Sequence, residues 1–282
     1  MTQLADHLRA VCDRVSTEPA DLAAAGGDEW AMSATVARAP EAVASPGTAE
    51  EVAAVLAVCS DRRVPVTPAG SRSGVCGGAI PVHAGVVLDL RGLAGIVSVD
   101  DASLLADVGA GTMGDALEAE LRTAHGLTLG HRPQSVAIST LGGWLACRSA
   151  GQYSNRYGKI EDMVVGLDVA LADGRLIHTG GAPRAATGPD LTQLFVGSEG
   201  TLGVITSARL RLHPAPAAER RAAYAFESFA AGVDACRRIL RRGATPAVLR
   251  LYDDQEAARS FGLPKPGEPG ASHLLLVLDE AD

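Results

Sequence analysis

The sequence predicts an α+β protein, and three observations carry that prediction. A helix with its own start signal opens the main body at Thr48. Short apolar strands recur between glycine-rich turns from Val64 onward, and Asp173-Gly174 joins two strand-like runs as a hairpin. Of the 282 residues, 47% are apolar and 21% charged, the balance of a soluble globular protein with a core. That length suits one large domain, or one domain and part of another.

The elements follow in chain order. Leu4, Leu8 and Val11 fall at helical spacing in an N-terminal arm that Gly26-Gly27 interrupts. Thr48 and Glu51 form a capping box, in which hydroxyl and carboxylate satisfy the orphan N–H groups of a helix start. The helix behind it places Val52, Val55, Leu56 and Cys59 on one face. Strands are expected at Val64–Thr67, Val86–Leu90, Ile96–Val99 and Leu104–Val108. Thr112 with Asp115 is expected to open a helix bearing Leu117 and Leu121, and a third helix starts near Thr140. Val164–Ala172 and Arg175–Thr179 are the arms of the hairpin, and Leu202–Leu212 is a strand ending before Pro214 and Pro216. Beyond that pair the pattern reads strand (Ala222–Phe226), helix (Phe229–Leu240), strand (Ala247–Leu251) and apolar strand (Leu274–Leu278).

Composition excludes several function classes. A net charge of −8 with no basic, aromatic-laced stripe argues against nucleic-acid binding. No run of eighteen apolar residues and no signal-peptide pattern is present, so the expected location is cytoplasmic. The five cysteines and seven histidines show no metal-ligand spacing. No metal is expected, and the thiols should be reduced and mostly buried.

Chemistry concentrates in several separate glycine-rich, small-residue segments. Pro68, Ala69, Gly70, Ser71, Arg72, Ser73 and Gly74 follow a short β-rich stretch, with Cys76 and two further glycines behind. Glycine lets backbone N–H groups approach a ligand, the serines add hydroxyl donors and Arg72 adds charge, a combination suited to a pyrophosphate. A plain surface turn is the alternative, since neither a Walker lysine nor a dinucleotide G-x-G-x-x-G is present. Gln134, Ser135, Val136, Ala137, Ile138, Ser139, Thr140, Leu141, Gly142, Gly143 and Trp144 lead into a helix start, where free N–H groups favour an anion. Cys147, Arg148, Ser149 and Ala150 come next. Glu199, Gly200, Thr201, Leu202, Gly203, Val204 and Ile205 then open a strand. Together they imply a long ligand threaded through a cleft.

Read in this order, residues 44–216 resemble the FAD-binding domain of the vanillyl-alcohol-oxidase/p-cresol-methylhydroxylase (PCMH-type) flavoproteins, most specifically in Gly197-Ser198-Glu199-Gly200-Thr201-Leu202-Gly203-Val204-Ile205. Within that family the chain looks most like the alkyldihydroxyacetonephosphate synthases and other FAD-linked oxidases. Gly130-His131-Arg132-Pro133, Tyr157-Gly158-Lys159-Ile160-Glu161-Asp162, Thr187-Gly188-Pro189-Asp190 and Leu249-Arg250-Leu251-Tyr252-Asp253 carry that likeness. The resemblance implies two α/β subdomains around FAD over 44–216, an N-terminal arm over 1–43 and an incomplete α+β cap over 217–282.

It also implies that Pro68–Gly74 wraps the FAD pyrophosphate, that Gln134–Thr140 and Cys147–Ala150 line the cofactor beside the flavin, and that Glu199–Ile205 holds the ribityl-adenine side. Where the family loop has Gly-Gly-Gly-Thr-Ser, this chain has Gly70-Ser71-Arg72-Ser73-Gly74. No histidine sits in this loop and no cysteine in Arg132–Thr140, the positions of covalent attachment in some relatives, so non-covalent FAD is expected. The implied function is flavin-mediated exchange of acyl for alkyl on dihydroxyacetone phosphate. The alternatives are a 2-hydroxy-acid dehydrogenase of the D-lactate or glycolate type and a non-catalytic flavin-binding fragment.

Arg250 is the candidate substrate contact, a guanidinium suited to phosphate or carboxylate on a small-molecule substrate. Its bland alternative is a surface ion pair with Asp253 or Asp254. His131 reads either as an acid or base at the flavin or as a hydrogen-bonded structural histidine. Trp144 and Tyr157 read either as site walls or as packed aromatics. Nothing in sequence marks Cys76 or Cys147 as reactive. The family's catalytic tyrosine and histidine cluster would lie beyond Asp282, so weak turnover by this chain alone is expected. A half-built cap would expose Leu274–Leu278, making self-association as a homodimer an expectation too.

Overall fold

The computed structural model describes residues 3–28, 33–36, 38–181 and 186–281. Parts of the N-terminal arm, at 29–32 and 37, lie outside the described residues. The chain divides into two compact units. The first comprises residues 1–129, 133–149 and 160–213; the second comprises 130–132, 150–159 and 214–282.

In the first unit, α1 (Gln3–Arg9) buries Leu4 and Leu8, the arm residues placed by helical spacing. A four-stranded sheet follows, built from β1 (Val15–Ser16), β2 (Ala42–Ala44), β3 (Val66–Ala69) and β4 (Val86–Asp89) in the order β1-β2-β4-β3. Strand β4 pairs in parallel with β2 and β3, and Val86, Val87 and Leu88 are each 0% exposed. A continuous apolar run is what a parallel strand covered on both faces requires. Pro68 is tolerated within β3 because β3 is an edge strand, where a missing N–H costs no ladder bond.

The capping-box helix is α2 (Ala49–Arg62). Thr48 Oγ1 accepts from Glu51 N at 3.1 Å, and Val52, Val55, Leu56 and Cys59 are buried as the spacing predicts. The Glu51 carboxylate reaches further than a capping box needs. It accepts from Asp13 N at 2.9 Å and Gly47 N at 2.5 Å, tying the arm to the helix start. Those backbone donors hold Glu51 below the usual carboxylate range.

Strands β5 (Ile96–Asp100), β6 (Leu105–Gly109), β7 (Val164–Ala170), β8 (Leu176–Gly180) and β9 (Val204–Arg211) form an antiparallel sheet in the order β5-β6-β9-β7-β8. Asp173-Gly174 makes the expected turn between β7 and β8, with Gly174 at φ +84° and Asp173 accepting from Arg175 N. One prediction fails beside it. Thr112 does not cap a helix: α3 (Gly114–Glu120) starts after Met113 without a side-chain cap. The Thr112 hydroxyl instead accepts from Gly95 N and donates to Gly109 O, because a neighbouring loop outbids the helix for it.

The helix expected near Thr140 is α4 (Leu141–Ala146), capped by that residue. Among the short helices that follow are α5 (Ser154–Tyr157) in the second unit and α6 (Leu191–Phe195) in the first. The second unit is built on an antiparallel sheet of β10 (Ala218–Phe226), β11 (Val248–Tyr252) and β12 (His273–Ala281), ordered β10-β12-β11, with helices α7 (Phe229–Arg241) and α8 (Asp254–Phe261). The sequence reading missed α8, although Asp253 caps it by accepting from Glu256 N at 2.7 Å. The expected open face at Leu274–Leu278 is also corrected. Strand β12 is the central strand, with Leu275 and Leu278 buried and Leu274, Leu276 and Val277 half-buried, and the exposed large apolar side chains of this unit are Tyr224, Phe229, Val233, Leu240 and Phe261. Among the described residues no helix is long and apolar enough to cross a membrane.

Candidate functional site

The four sequence-predicted segments converge inside the first unit on one cavity of about 440 Å³. All of Pro68–Gly74 lines it, with Ser135, Ser139, Thr140, Gly142 and Gly143 from the approach to α4, Cys147 and Ser149 from its far end, and Glu199, Gly200, Gly203, Val204 and Ile205 from the entry to β9. That volume lies in the range of ligand-binding clefts.

The walls meet closely enough that glycine is required. A β-carbon on Gly70 would overlap Thr140 Oγ1, and one on Gly200, at φ +80°, would sit 2.9 Å from Pro68 Cγ. The approach to α4 is braced from within: Ser135 Oγ donates to Ser139 Oγ at 3.1 Å, and Ser139 Oγ donates to Ser135 O and accepts from Trp144 Nε1 at 2.7 Å. Trp144 is therefore both packed, at 3% exposure, and part of the wall.

Not every candidate reaches the cavity. Gln134, Val136, Ala137, Ile138, Thr201 and Leu202 do not line it. Val136 N and Ile138 N donate to Pro133 O and Ser135 O, and this tight winding leaves Ile138 more than half exposed. Arg148, at φ +51°, sends its guanidinium to the C-terminal carbonyls of α6, donating to Gln193 O at 3.0 Å and Val196 O at 3.1 Å. Ala150, His131, Tyr157 and Arg250 belong to the second unit. There His131 is buried, and the Arg250 guanidinium carbon lies 5.6 Å from the centroid of the Tyr252 ring, while Asp253 is occupied with capping α8. Sequence reasoning missed Leu90, Ala110 and Ala146 as wall residues. They carry no polar signal and enter only through packing. It also placed the thiols too deep: Cys76 and Cys147 are exposed, because one sits in the glycine loop and the other ends a helix.

The groups left open to meet an anion are not those at the helix start. At α4 the leading N–H groups are already spent, with Leu141 N on Thr112 O, Gly142 N on Ala110 O and Gly143 N on Thr140 Oγ1. Charge and donors come instead from the glycine loop. Among the described residues, no backbone N–H from Arg72 to Cys76 donates within the protein. Arg72 holds a left-handed φ of +59°, and its Nε is buried without a hydrogen-bond partner. Its nearest counter-ion, Asp89, is 3.8 Å away and bound at 2.6 Å by Arg91. Burial works against Asp89 ionising, yet the hydrogen bonds from Arg91 outweigh it and keep the carboxyl low. Burial likewise lowers Arg72, with Asp89 only partly offsetting it. A guanidinium so poorly matched, beside unspent amides, fits a diphosphate.

Comparison with known proteins agrees with this chemistry. The family described as FAD binding domain matches residues 40–180. Glycolate oxidase subunit GlcD of Bacillus subtilis (strain 168) is 35% identical over 86% of this chain and 51% of its own length. Alkyldihydroxyacetonephosphate synthase of Dictyostelium discoideum is 35% identical over 85% of this chain and 39% of its own length. A solved alkyldihydroxyacetonephosphate synthase superposes on 100% of this chain and 56% of its own, with a TM-score of 0.87 and 28% identity. The chain thus spans about half, or less, of the length of these relatives. It belongs to the FAD binding domain family of PCMH-type flavoproteins, and its cofactor is FAD.

Proposed function

We propose that the cleft of the first unit holds FAD non-covalently, with the diphosphate on the Gly70–Gly74 loop, as part of a flavoenzyme that acts on a small anionic substrate. The Arg72 guanidinium, only distantly paired with Asp89 and with its Nε lacking a hydrogen-bond partner, in a wall of glycines and unspent amides is the observation that carries this reading. Arg72 neutralises the diphosphate, Thr140 and the Ser135–Ser139 pair hold the wall beside it, and Glu199, Gly200, Gly203, Val204 and Ile205 contribute backbone. When bound, the flavin supplies the redox chemistry. Arg250, exposed on β11, is the proposed contact for a phosphate or carboxylate.

A synthase-like exchange is supported by the 0.87 TM-score to the solved synthase. A 2-hydroxy-acid dehydrogenase is the second reading, supported by 35% identity to a glycolate oxidase subunit. An absorption spectrum before and after acid precipitation tests the cofactor mode. Flavin bands that move wholly into the supernatant are expected; flavin retained in the pellet would refute non-covalent binding. Anaerobic addition of glycolate or D-lactate then tests the dehydrogenase reading, because bleaching of the flavin band favours it, while no bleaching is the result expected of the exchange and of a non-catalytic fragment alike.

Arg72 allows a sharper check. Arg72→Gly removes the cation and also the left-handed strain on a side-chain-bearing residue, which costs about 1 kcal/mol. FAD affinity is expected to fall about tenfold to a hundredfold while apo-protein stability holds or rises. Titration of FAD and a thermal melt read the two effects separately, and unchanged affinity would remove Arg72 from the site.

A further inference from the structure

Two residues of the second unit flank the cofactor-lining stretch 133–149 in sequence. Gly130 precedes it at φ +74°, and Tyr157 follows it at the end of α5. In space they touch: a β-carbon on Gly130 would overlap the Tyr157 ring. The contact closes residues 130–157 into one loop that contains Ser135, Ser139, Thr140, Gly142, Gly143 and Cys147. Gln152 tightens the same closure, its N–H donating to Arg132 O at 2.8 Å.

The Tyr157 hydroxyl is in turn held from strand β12. It donates to Glu280 Oε2 at 2.6 Å, in a bond buried between residues 123 positions apart. The Glu280 side chain is 0% exposed, and its Oε1 has no hydrogen-bond partner. Arg156 Nε stands 3.7 Å from the same Oε2. Burial and the bond to Glu280 both raise the tyrosine, so it stays the donor across the working pH range.

We propose that Glu280 is a positioning residue for the cofactor-lining chain: it fixes Tyr157, whose ring fixes Gly130, and so clasps both ends of the loop that supplies the cleft wall. A buried charge held by few partners stabilises poorly in itself but specifies one arrangement, which is the use this clasp makes of it. The inference rests on the reading that the cleft holds FAD. Its loop-ordering consequence, however, is measurable without the cofactor.

Hydrogen exchange on the full chain without FAD tests the clasp directly. In Glu280→Leu, which leaves the tyrosine hydroxyl without its acceptor, amides of 134–149 are expected to exchange about tenfold faster. Amides of β7, at 164–170, should keep their rate. Glu280→Gln retains an acceptor oxygen and is expected to restore protection to within about twofold of wild type. Tyr157→Phe supplies the second deletion should Glu280→Leu fold poorly, and it should show the same local loss. With FAD added, both deletions should weaken binding about tenfold and alter the visible circular dichroism of the flavin, and Glu280→Gln should not. Uniform acceleration across 134–149 and 164–170 alike, or no rescue by glutamine, would reduce Glu280 to a general stabiliser and overturn the proposal. Normal loop exchange behaviour in the deletions would overturn it as well. Local loosening with unchanged FAD affinity would leave the clasp standing and refute instead the placement of FAD.

Discussion

Gly70→Ala should weaken FAD binding by at least about tenfold, because the added β-carbon overlaps the Thr140 hydroxyl and one of the two must move. Thr140 has no freedom to yield. Its Oγ1 accepts from Gly143 N at the start of α4, and its backbone carbonyl accepts from Trp144 N. The glycine loop must therefore swing away, taking Arg72 and the unspent amides with it. Thr140→Ala alone should cost about 1 kcal/mol of stability through the lost cap. In the double variant the overlap is gone, so FAD affinity should recover part of the loss despite two changes to the wall. Isothermal titration of the four proteins completes the cycle. A double variant worse than Gly70→Ala would show that crowding against Thr140 is not why position 70 is glycine.

Trp144→Ala is expected to be the most destabilising single change, at about 3–5 kcal/mol. The ring is 3% exposed and lies where any side chain on Gly114 would go, so α3 and α4 both lean on it. Its indole N–H also satisfies Ser139, the residue that braces the approach to α4. For a unit of this size the melt should drop by roughly 6–20 °C. Trp144→Phe keeps most of the packing and loses the N–H, so its cost should be clearly smaller. FAD should rescue part of the loss in either variant by mass action. A melting temperature for Trp144→Ala within two or three degrees of wild type, measured by far-ultraviolet circular dichroism, would mean that the cavity collapses without penalty and that the ring does not hold the wall.

Local chemistry explains which features could be read before the fold was known. Thr48 with Glu51, and Asp173-Gly174, announce a helix start and a hairpin because their partners lie within four residues. The glycine segments were legible for a similar reason: glycine has few uses, and several clusters in one chain point to backbone brought close to a ligand. Asp253 with Glu256 carried the same kind of signal for α8, and it went unread among the charges around it. Thr112 shows the limit. Its sequence context suits a cap, but a loop seventeen residues earlier takes the hydroxyl.

By itself, then, the sequence determined the α+β class, the family and the four segments that build the cleft, because each rests on side chains and glycines interacting with near neighbours. Tertiary structure decided the rest. At the cleft the free charge and donors lie at Arg72 and its loop rather than at the helix start, since Thr112 and Ala110 carbonyls consume the helix N–H groups and Arg91 holds Asp89 more closely than Arg72 does. Likewise β12 is central instead of exposed, and Glu280 reaches back to Tyr157. Each outcome depends on which distant group wins a shared donor or acceptor, a competition that is settled only when the chain is folded.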